Sequence, residues 1–204
     1  MKSGYLKQAW LVLALALCFG AALAVVQVAW GPKIEQNKEN DARSQIPRLV
    51  VGAGADLTPA GRNVEIRDER GLRAYRVYRA MCAGEGGRSV QIGWVVKAKG
   101  PGYADNIELL VGLDLKAETI TGLAVLAQNE TPGLGNAIKA PAWRRQFAGK
   151  AAGGRLEAVK GTPHADCEIE AVSGATISSQ SVCDIVNRAV ADFRAKLPEL
   201  RDEE

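Results

Sequence analysis

Four hydroxyl side chains lie within seven residues near the carboxyl end of the chain: Ser173, Thr176, Ser178 and Ser179. The residues that follow have the apolar spacing of a helix with one buried face, namely Val182, Ile185, Val186, Ala189, Val190, Phe193 and Leu197. The apolar residues 169–172 predict a short strand, so the hydroxyls lie where a strand turns into a helix. The first N–H groups of a helix have no internal partner and carry the positive end of its dipole. This cluster therefore fits a phosphate site.

Helix capping is the alternative interpretation, because Ser and Thr oxygens accept hydrogen bonds from the free N–H groups of a first turn. A single cap accounts for one hydroxyl rather than four. No Glu or Gln stands three residues after Ser173 or Thr176 to complete a capping box. Gly174 permits a close approach of the backbone to a ligand. On these residues alone, both interpretations stay open.

A second segment with unusual backbone freedom has the sequence Glu-Thr-Pro-Gly-Leu-Gly at residues 130–135. Pro132 and Gly133 form a turn pair, and Gly135 permits a further unusual backbone angle. Such a loop exposes N–H and C=O groups that suit the polar edge of a ring. A plain turn is the alternative interpretation of these residues.

The Ser-Gly-Ala-Thr sequence at residues 173–176 resembles the flavin-attachment motif of a known family of FMN-binding domains. The family includes the G subunit of Rnf-type electron transport complexes and the C subunit of sodium-translocating NADH:quinone reductases. Residues 130–135 resemble a further segment of this family, and the resemblance extends over about residues 93–197. Glu170 stands where the family usually has Asp, and Gln128 where it often has His.

The resemblance implies a flavoprotein subunit of a membrane complex that couples electron transfer of the ferredoxin/NAD type to ion translocation. It implies FMN held covalently by Thr176 through a phosphoester, which a separate flavin transferase makes. No catalytic residue and no metal ligand are implied, and neighbouring subunits of the complex bind NAD. The cofactor-binding residues implied by the resemblance are the threonine and eight neighbours, with the second segment facing the ring: Ser173, Gly174, Ala175, Thr176, Glu130, Thr131, Gly133, Leu134 and Gly135.

The amino-terminal segment has the composition of a membrane anchor. Residues 9–30 are 22 residues without a charge, enough for a helix to cross a bilayer core of ~30 Å. Lys2 and Lys7 precede the span, so the positive-inside rule places the amino terminus in the cytoplasm and the rest outside it. A cleaved signal peptide is the alternative, although its apolar region is usually shorter. The resemblance implies the bacterial cytoplasmic membrane.

The remaining chain predicts an α+β domain. Strand patterns occur with short turn-rich links between them, and short links favour antiparallel pairing. The helix after Thr176 is expected to cover one face of the sheet. Residues 50–62 contain Gly and Pro and predict a loop. The predicted strands are residues 72–80, 90–98, 107–115 and 119–127.

Three parts of the chain follow from these patterns. A membrane anchor is predicted over residues 1–31, a charged juxtamembrane stalk over residues 32–48, and an extracytoplasmic domain over residues 49–204. Pro32 and Pro47 are expected to open and end a helix in the stalk. The net charge of +3, without a basic patch interleaved with aromatics, gives no indication of nucleic-acid binding.

The cysteines and the single histidine indicate no metal or dithiol site. No Cys-X-X-Cys pair occurs, so electron transfer would need a cofactor that cysteines do not hold. The sequence does not say which of Cys82, Cys167 and Cys183 would pair in an oxidising compartment. His164 has no second histidine beside it and is expected in an exposed loop.

Two other functions remain open from the sequence. One is a membrane-anchored flavin-based redox sensor, which the lack of room for a cytoplasmic output domain disfavours. The other is a scaffold subunit without redox activity, in which the hydroxyl cluster serves only as a helix cap.

Overall fold

The computed structural model describes residues 3–50, 60–68, 71–83 and 89–201. The chain divides into two compact units, Met1–Asp41 and Ala42–Glu204. The described residues of the first unit belong to helix α1 (Ser3–Val50). Its apolar part, Ala9–Ile34, is 26 residues long with a mean hydropathy of 2.6, which suffices to cross a membrane by length and composition.

Helix α1 ends later than the sequence predicts. The helix continues through Pro47 to Val50, so the predicted end at Pro47 is wrong. Within the second unit, the last turn of α1 places Leu49 in a buried cluster on one face of the sheet. This packing accounts for the extra helical residues, because tertiary contacts override the local preference of a proline.

The second unit is built on a five-stranded sheet in which each strand pairs antiparallel with the next along the chain. The four predicted strands and the α+β class are confirmed. The first strand was not predicted, and the expected loop is wrong at residues 60–62, because pairing with the second strand makes them extended. The expected turn at residues 84–87 and residues 51–59 lie outside the described residues. The strands are β1 (Ala60–Asp68), β2 (Gly71–Ala83), β3 (Ser89–Pro101), β4 (Asn106–Leu113) and β5 (Ile120–Ala127).

Helix α3 (Thr176–Arg201) covers one face of the sheet, as predicted. Trp94 of β3 packs against Phe193 of α3 with 5.5 Å between ring centroids. Val95, which alternates with Trp94 and Val96 along β3, belongs instead to the cluster around Leu49 on the opposite face. The sheet is therefore covered on both faces.

Between β5 and α3 the chain forms short elements that carry the site. The residues after Glu130 form a 3-10 turn, Gly135–Lys139, followed by helix α2, Pro141–Arg144, and another 3-10 turn, Arg145–Phe147. Strands β6 (Glu157–Val159) and β7 (Glu168–Glu170) pair in parallel and lead into α3.

The short helix is fixed to the strand before α3 through its aromatic side chains. Trp143 and Phe147 are buried and contact each other, with 5.2 Å between ring centroids. The Trp143 Nε1–H donates to the Glu170 carbonyl over 2.7 Å. This bond fixes the strand that leads into the hydroxyl cluster.

The cysteines lie in different environments, which predict different reactivity. Burial raises the pKa of Cys183 to about 12. Cys167 is exposed. At pH 8 we expect iodoacetamide to alkylate Cys167 in the native protein, while Cys183 reacts only after denaturation, because a thiol reacts as its thiolate. Peptide mass mapping before and after denaturation measures this, and rapid native labelling of Cys183 would contradict the buried position.

Candidate functional site

The turn into α3 is fixed by its own backbone and by one serine. Gly174 has a φ of +75°, a left-handed conformation that favours glycine. The Ala175 N–H donates to the Val172 carbonyl over 2.9 Å. The Ser179 hydroxyl accepts from the Val172 N–H and donates to the Ala175 carbonyl, both over 3.0 Å. The segment before the helix is therefore tied to the first helical turn.

The four hydroxyls of the cluster have different roles. Ser178 donates to Glu130 over 2.6 Å, and Ser179 bonds within the turn. In the part of the chain that the structure describes, the hydroxyls of Ser173 and Thr176 bond to no protein group, and none of the four caps a free N–H of α3. The capping alternative therefore does not account for the cluster.

Glu130 joins three segments of the chain through a buried carboxylate. Its Oε1 accepts from the backbone N–H groups of Tyr103 and Ala104, over 2.9 Å and 3.2 Å. Its Oε2 accepts from the Ser178 hydroxyl. Its own N–H donates to the Gln128 side chain over 2.6 Å. With an exposed fraction of only 3%, the carboxylate connects the turn after β3, the segment after β5 and the first turn of α3.

The loop after Glu130 is a turn with its own internal bonds. The Leu134 N–H donates to the Thr131 carbonyl over 3.2 Å, and the Gly133 N–H to the Asn136 side chain over 3.0 Å. Gly133 has a φ of +76°, which confirms the predicted turn. A Cβ on Gly135 would lie 2.8 Å from the Ser178 hydroxyl and 2.8 Å from the Glu130 Cβ. The absence of a side chain at residue 135 therefore lets the loop lie against α3.

The two segments singled out in the sequence meet at one cleft of about 540 Å³. This volume lies within the range of ~300–1,000 Å³ for small-molecule sites. Glu130, Gly133 and Ser173 lie outside its lining. The lining residues are Tyr103, Thr131, Leu134, Gly135, Lys160, Gly174, Ala175, Thr176, Ile177 and Ser178.

The sequence did not single out two of the lining residues. Lys160 follows β6, which pairs with the strand before α3, and no motif marked it. Ile177 follows Thr176 and is 60% exposed, outside the apolar period of the helix. Tyr103 is 64% exposed at the cleft and does not pack in the core.

The cleft has a positive electrostatic character. Among the described residues of its lining, Lys160 has the one charged side chain. Thr176, Ile177 and Ser178 provide the first three N–H groups of α3, which by position have no acceptor within the helix. The dipole of a 26-residue helix adds partial positive charge at the same place. The arrangement suits a phosphate group beside the Thr176 hydroxyl.

A substitution at Gly135 is expected to disturb the cleft from within. Gly135→Ala places a Cβ against the Ser178 hydroxyl and Glu130, so we expect the free energy of unfolding to fall by about 1–3 kcal/mol. Gly149→Ala is the control for adding a side chain to a glycine. At this residue the φ of +84° adds backbone strain, but no atom lies within 4 Å of the added Cβ. Urea unfolding and flavin content measure both variants. Full flavin content in Gly135→Ala would contradict the close contact.

Comparisons with known proteins converge on one family. The FMN-binding domain family matches residues 102–191. The chain is 32% identical over 189 residues to the G subunit of the Na(+)-translocating ferredoxin:NAD(+) oxidoreductase complex of Acetobacterium woodii, covering 91% of this chain and 88% of the relative. It is 28% identical over 196 residues to the G subunit of the ion-translocating oxidoreductase complex of Shewanella baltica, covering 95% and 91%.

A solved structure shows the same fold. The C subunit of the Na(+)-translocating NADH-quinone reductase of Parabacteroides distasonis aligns with a TM-score of 0.62 at 22% identity. The alignment covers 80% of this chain and 94% of that one. The matched segment of the FMN-binding family contains both the loop after Glu130 and the turn at Thr176.

Proposed function

Since the chain belongs to the family of G subunits of ion-translocating oxidoreductase complexes, we propose that it carries FMN covalently on Thr176. As a member of this family, it is a membrane-anchored, flavin-binding electron-transfer subunit of a multisubunit oxidoreductase. The proposal goes one step further and names the attachment atom and the residues around the cofactor. One observation carries that step: the Thr176 hydroxyl lies at the cleft, at the start of α3, without a hydrogen-bond partner among the described residues.

The residues at the cleft fit the group. The phosphate would lie at the first turn of α3, where the free N–H groups stabilise an anion. The left-handed backbone at Gly174 lets the chain approach it closely. Thr131, Leu134 and Gly135 form the opposite wall, where exposed backbone groups suit the polar edge of the ring. Glu130 and Gly133 would act from behind this wall by fixing the loop.

Attachment needs a hydroxyl and an activated flavin. Oγ1 of Thr176 forms a new bond to the flavin phosphorus, the leaving group on that phosphorus departs with the bonding electrons, and the hydroxyl proton passes to solvent. A flavin activated as a pyrophosphate supplies the leaving group, and a flavin transferase would bring the two together. The net change adds FMN and removes one water. Once bound, FMN supplies the electron-transfer chemistry, while the protein holds and orients it.

The proposal places the FMN domain outside the cytoplasm. Lys2 and Lys7 precede the apolar span, which favours a cytoplasmic amino terminus. Covalent attachment then has a physical use, because a site outside the cytoplasm has no free flavin pool to refill it. The exposed Glu170 lies six residues before Thr176, at the end of β7, where a transferase could contact it.

The test is the intact mass of the protein after purification from its own membranes and full denaturation. We expect an increase equal to FMN less water, fluorescence that persists in a denaturing gel, and a modified peptide that contains Thr176. An unmodified mass from cells with an active flavin transferase would contradict covalent attachment. It would return the protein to noncovalent FMN binding or to a scaffold role.

Lys160 is expected to tune the potential of the bound flavin. A reduced flavin gains negative charge, and a cation at the same cleft stabilises it. We expect Lys160→Gln to lower the midpoint potential by on the order of tens of millivolts, with a smaller shift at high salt. Lys160→Arg keeps the charge and is the matched control. Equal potentials in Lys160→Gln and the wild type would place the lysine too far from the ring to matter.

A further inference from the structure

A second cleft, of about 520 Å³, lies apart from the flavin cleft and collects arginines. It is bordered by the last two turns of α1, by β5, and by α2 with the 3-10 turn that follows it. Arg48 comes from the first of these elements, and Arg144 and Arg145 come from the last. None of the described residues that line it is acidic. Three arginines thus line one concave surface of the second unit.

The charges of the three arginines are not matched within the described part of the chain. Among the described residues, no carboxylate pairs with Arg48, Arg144 or Arg145. Arg144 is half-buried, and its Nε and Nη1 donate to the carbonyls of Lys139 and Leu123, over 3.0 Å and 3.2 Å. Burial lowers the pKa of Arg144. Its guanidinium is therefore held in place by neutral acceptors while its charge stays uncompensated.

An uncompensated, partly desolvated charge marks an incomplete site. Taking a charge out of water is costly unless an opposite charge or strong acceptors replace the water. Two backbone carbonyls compensate Arg144 in part, and its remaining N–H groups suit the forked geometry of a carboxylate. Arg48 and Arg145 are exposed beside it and add attraction at longer range. An anion in the cleft would complete the arrangement.

We propose that this cleft binds a carboxylate-bearing segment of a neighbouring subunit of the complex. The family of the chain supplies the partner, because its members are subunits of a multisubunit oxidoreductase. The proposal does not depend on how FMN is attached, since none of the three arginines lines the flavin cleft.

The sequence disfavours a lipid headgroup as the occupant. Recognition of anionic lipids beside a membrane span typically needs a cluster of about four to eight basic residues. Between the apolar span and Arg48, residues 35–47 contain three acids, Glu35, Glu39 and Asp41, against two bases, Lys38 and Arg43. With Lys33 and Arg48 included, the stretch has four bases against three acids, so it is nearly neutral rather than a basic cluster.

Photo-crosslinking in the assembled complex tests the occupant directly. Ala148 is exposed and lines the cleft, so a photoreactive phenylalanine derivative at this position samples whatever is bound. We expect a cross-link to a peptide of another subunit that carries at least two Asp or Glu residues. A cross-link to lipid only, to a peptide without carboxylates, or to nothing would overturn the proposal. The same derivative at Ala191, exposed on α3 and outside the cleft lining, should not capture that peptide.

Charge reversal at the cleft is a second test of the proposal. We expect Arg145→Glu to reduce the retention of the other subunits during purification in detergent roughly tenfold, because like charges then face each other. Arg194→Glu, an exposed arginine outside the cleft lining, is the matched control and should leave retention unchanged. Unchanged retention in Arg145→Glu would overturn the proposal. In-gel flavin fluorescence of the same samples reports separately on attachment at Thr176 and should be equal in all of them.

Discussion

Thr176→Ala is expected to abolish covalent flavin while leaving the domain folded. The substitution removes the one atom to which the flavin phosphorus would bond. The side chain is partly exposed at the first position of α3, and its hydroxyl holds no other part of the described structure. Alanine is also the best helix former, so the helix itself should not suffer. We therefore expect a loss of bound flavin after denaturation to below detection, with the free energy of unfolding within about 0.5 kcal/mol of the wild type.

The assay compares intact mass and in-gel fluorescence of proteins made together with a flavin transferase. Thr176→Ser keeps a hydroxyl at the same place, and we expect it to retain part of the flavin. Ser173→Ala removes the neighbouring hydroxyl, which also bonds to none of the described residues. This variant should keep the flavin because Ser173 does not line the cleft. Denaturation-resistant flavin in Thr176→Ala would refute attachment at this residue. Loss in Ser173→Ala alone would move the attachment to Ser173.

The sequence predicted the elements whose patterns are local. Strands β2 to β5 and helix α3 follow from alternation and from apolar spacing, which record the faces that the residues bury. Strand β1 was not predicted from the sequence, because its Gly and the Pro that precedes it indicate a loop. Pairing with β2 decides its conformation instead. The late end of α1 was not predicted for a similar reason. The last turn of the helix is stabilised by the burial of Leu49, which depends on a sheet formed far along the chain.

The sequence named the chemical groups at the candidate site but not their division of roles. It marked four hydroxyls, yet only the structure separates Ser178 and Ser179, which bond within the protein, from the free hydroxyl of Thr176. Lys160 reaches the cleft through the pairing of β6 with β7, a contact that no local pattern reports. The arginine cleft was not predicted because its arginines come from the last turn of α1, from the end of α2 and from the 3-10 turn that follows it.

Glu130→Ala is expected to lower the free energy of unfolding by about 3 kcal/mol and to deplete the flavin. The substitution removes the acceptor for the Tyr103 and Ala104 N–H groups and for the Ser178 hydroxyl. Hydrogen bonds to charged groups are worth ~1.5–3 kcal/mol each, and unpaired buried donors add a further cost, although such terms do not add in full. Because Ser178 lies two residues after Thr176, its release would also loosen the position of the attachment hydroxyl.

Amide hydrogen exchange gives the most direct readout of Glu130. We expect the Tyr103 and Ala104 amides to lose protection in Glu130→Ala, in parallel with a lower midpoint of urea unfolding. Glu157→Ala removes an exposed carboxylate outside this network and should change stability by less than about 0.5 kcal/mol. Wild-type exchange at both amides in Glu130→Ala would show that the carboxylate does not hold this turn.

Glu130→Gln separates the geometry of the carboxylate from its charge. A glutamine side chain has one acceptor oxygen, which can stay with the Tyr103 and Ala104 N–H groups. Its NH₂ group then faces Ser178, whose hydroxyl can rotate from donating to accepting. This keeps the contact between the two side chains, while the second amide N–H and the Ser178 proton lose their acceptor. We expect a loss of only about 1 kcal/mol and retained flavin. If Glu130→Gln were as damaging as Glu130→Ala, the negative charge itself, rather than the pairing of three donors, would hold the walls of the flavin cleft together.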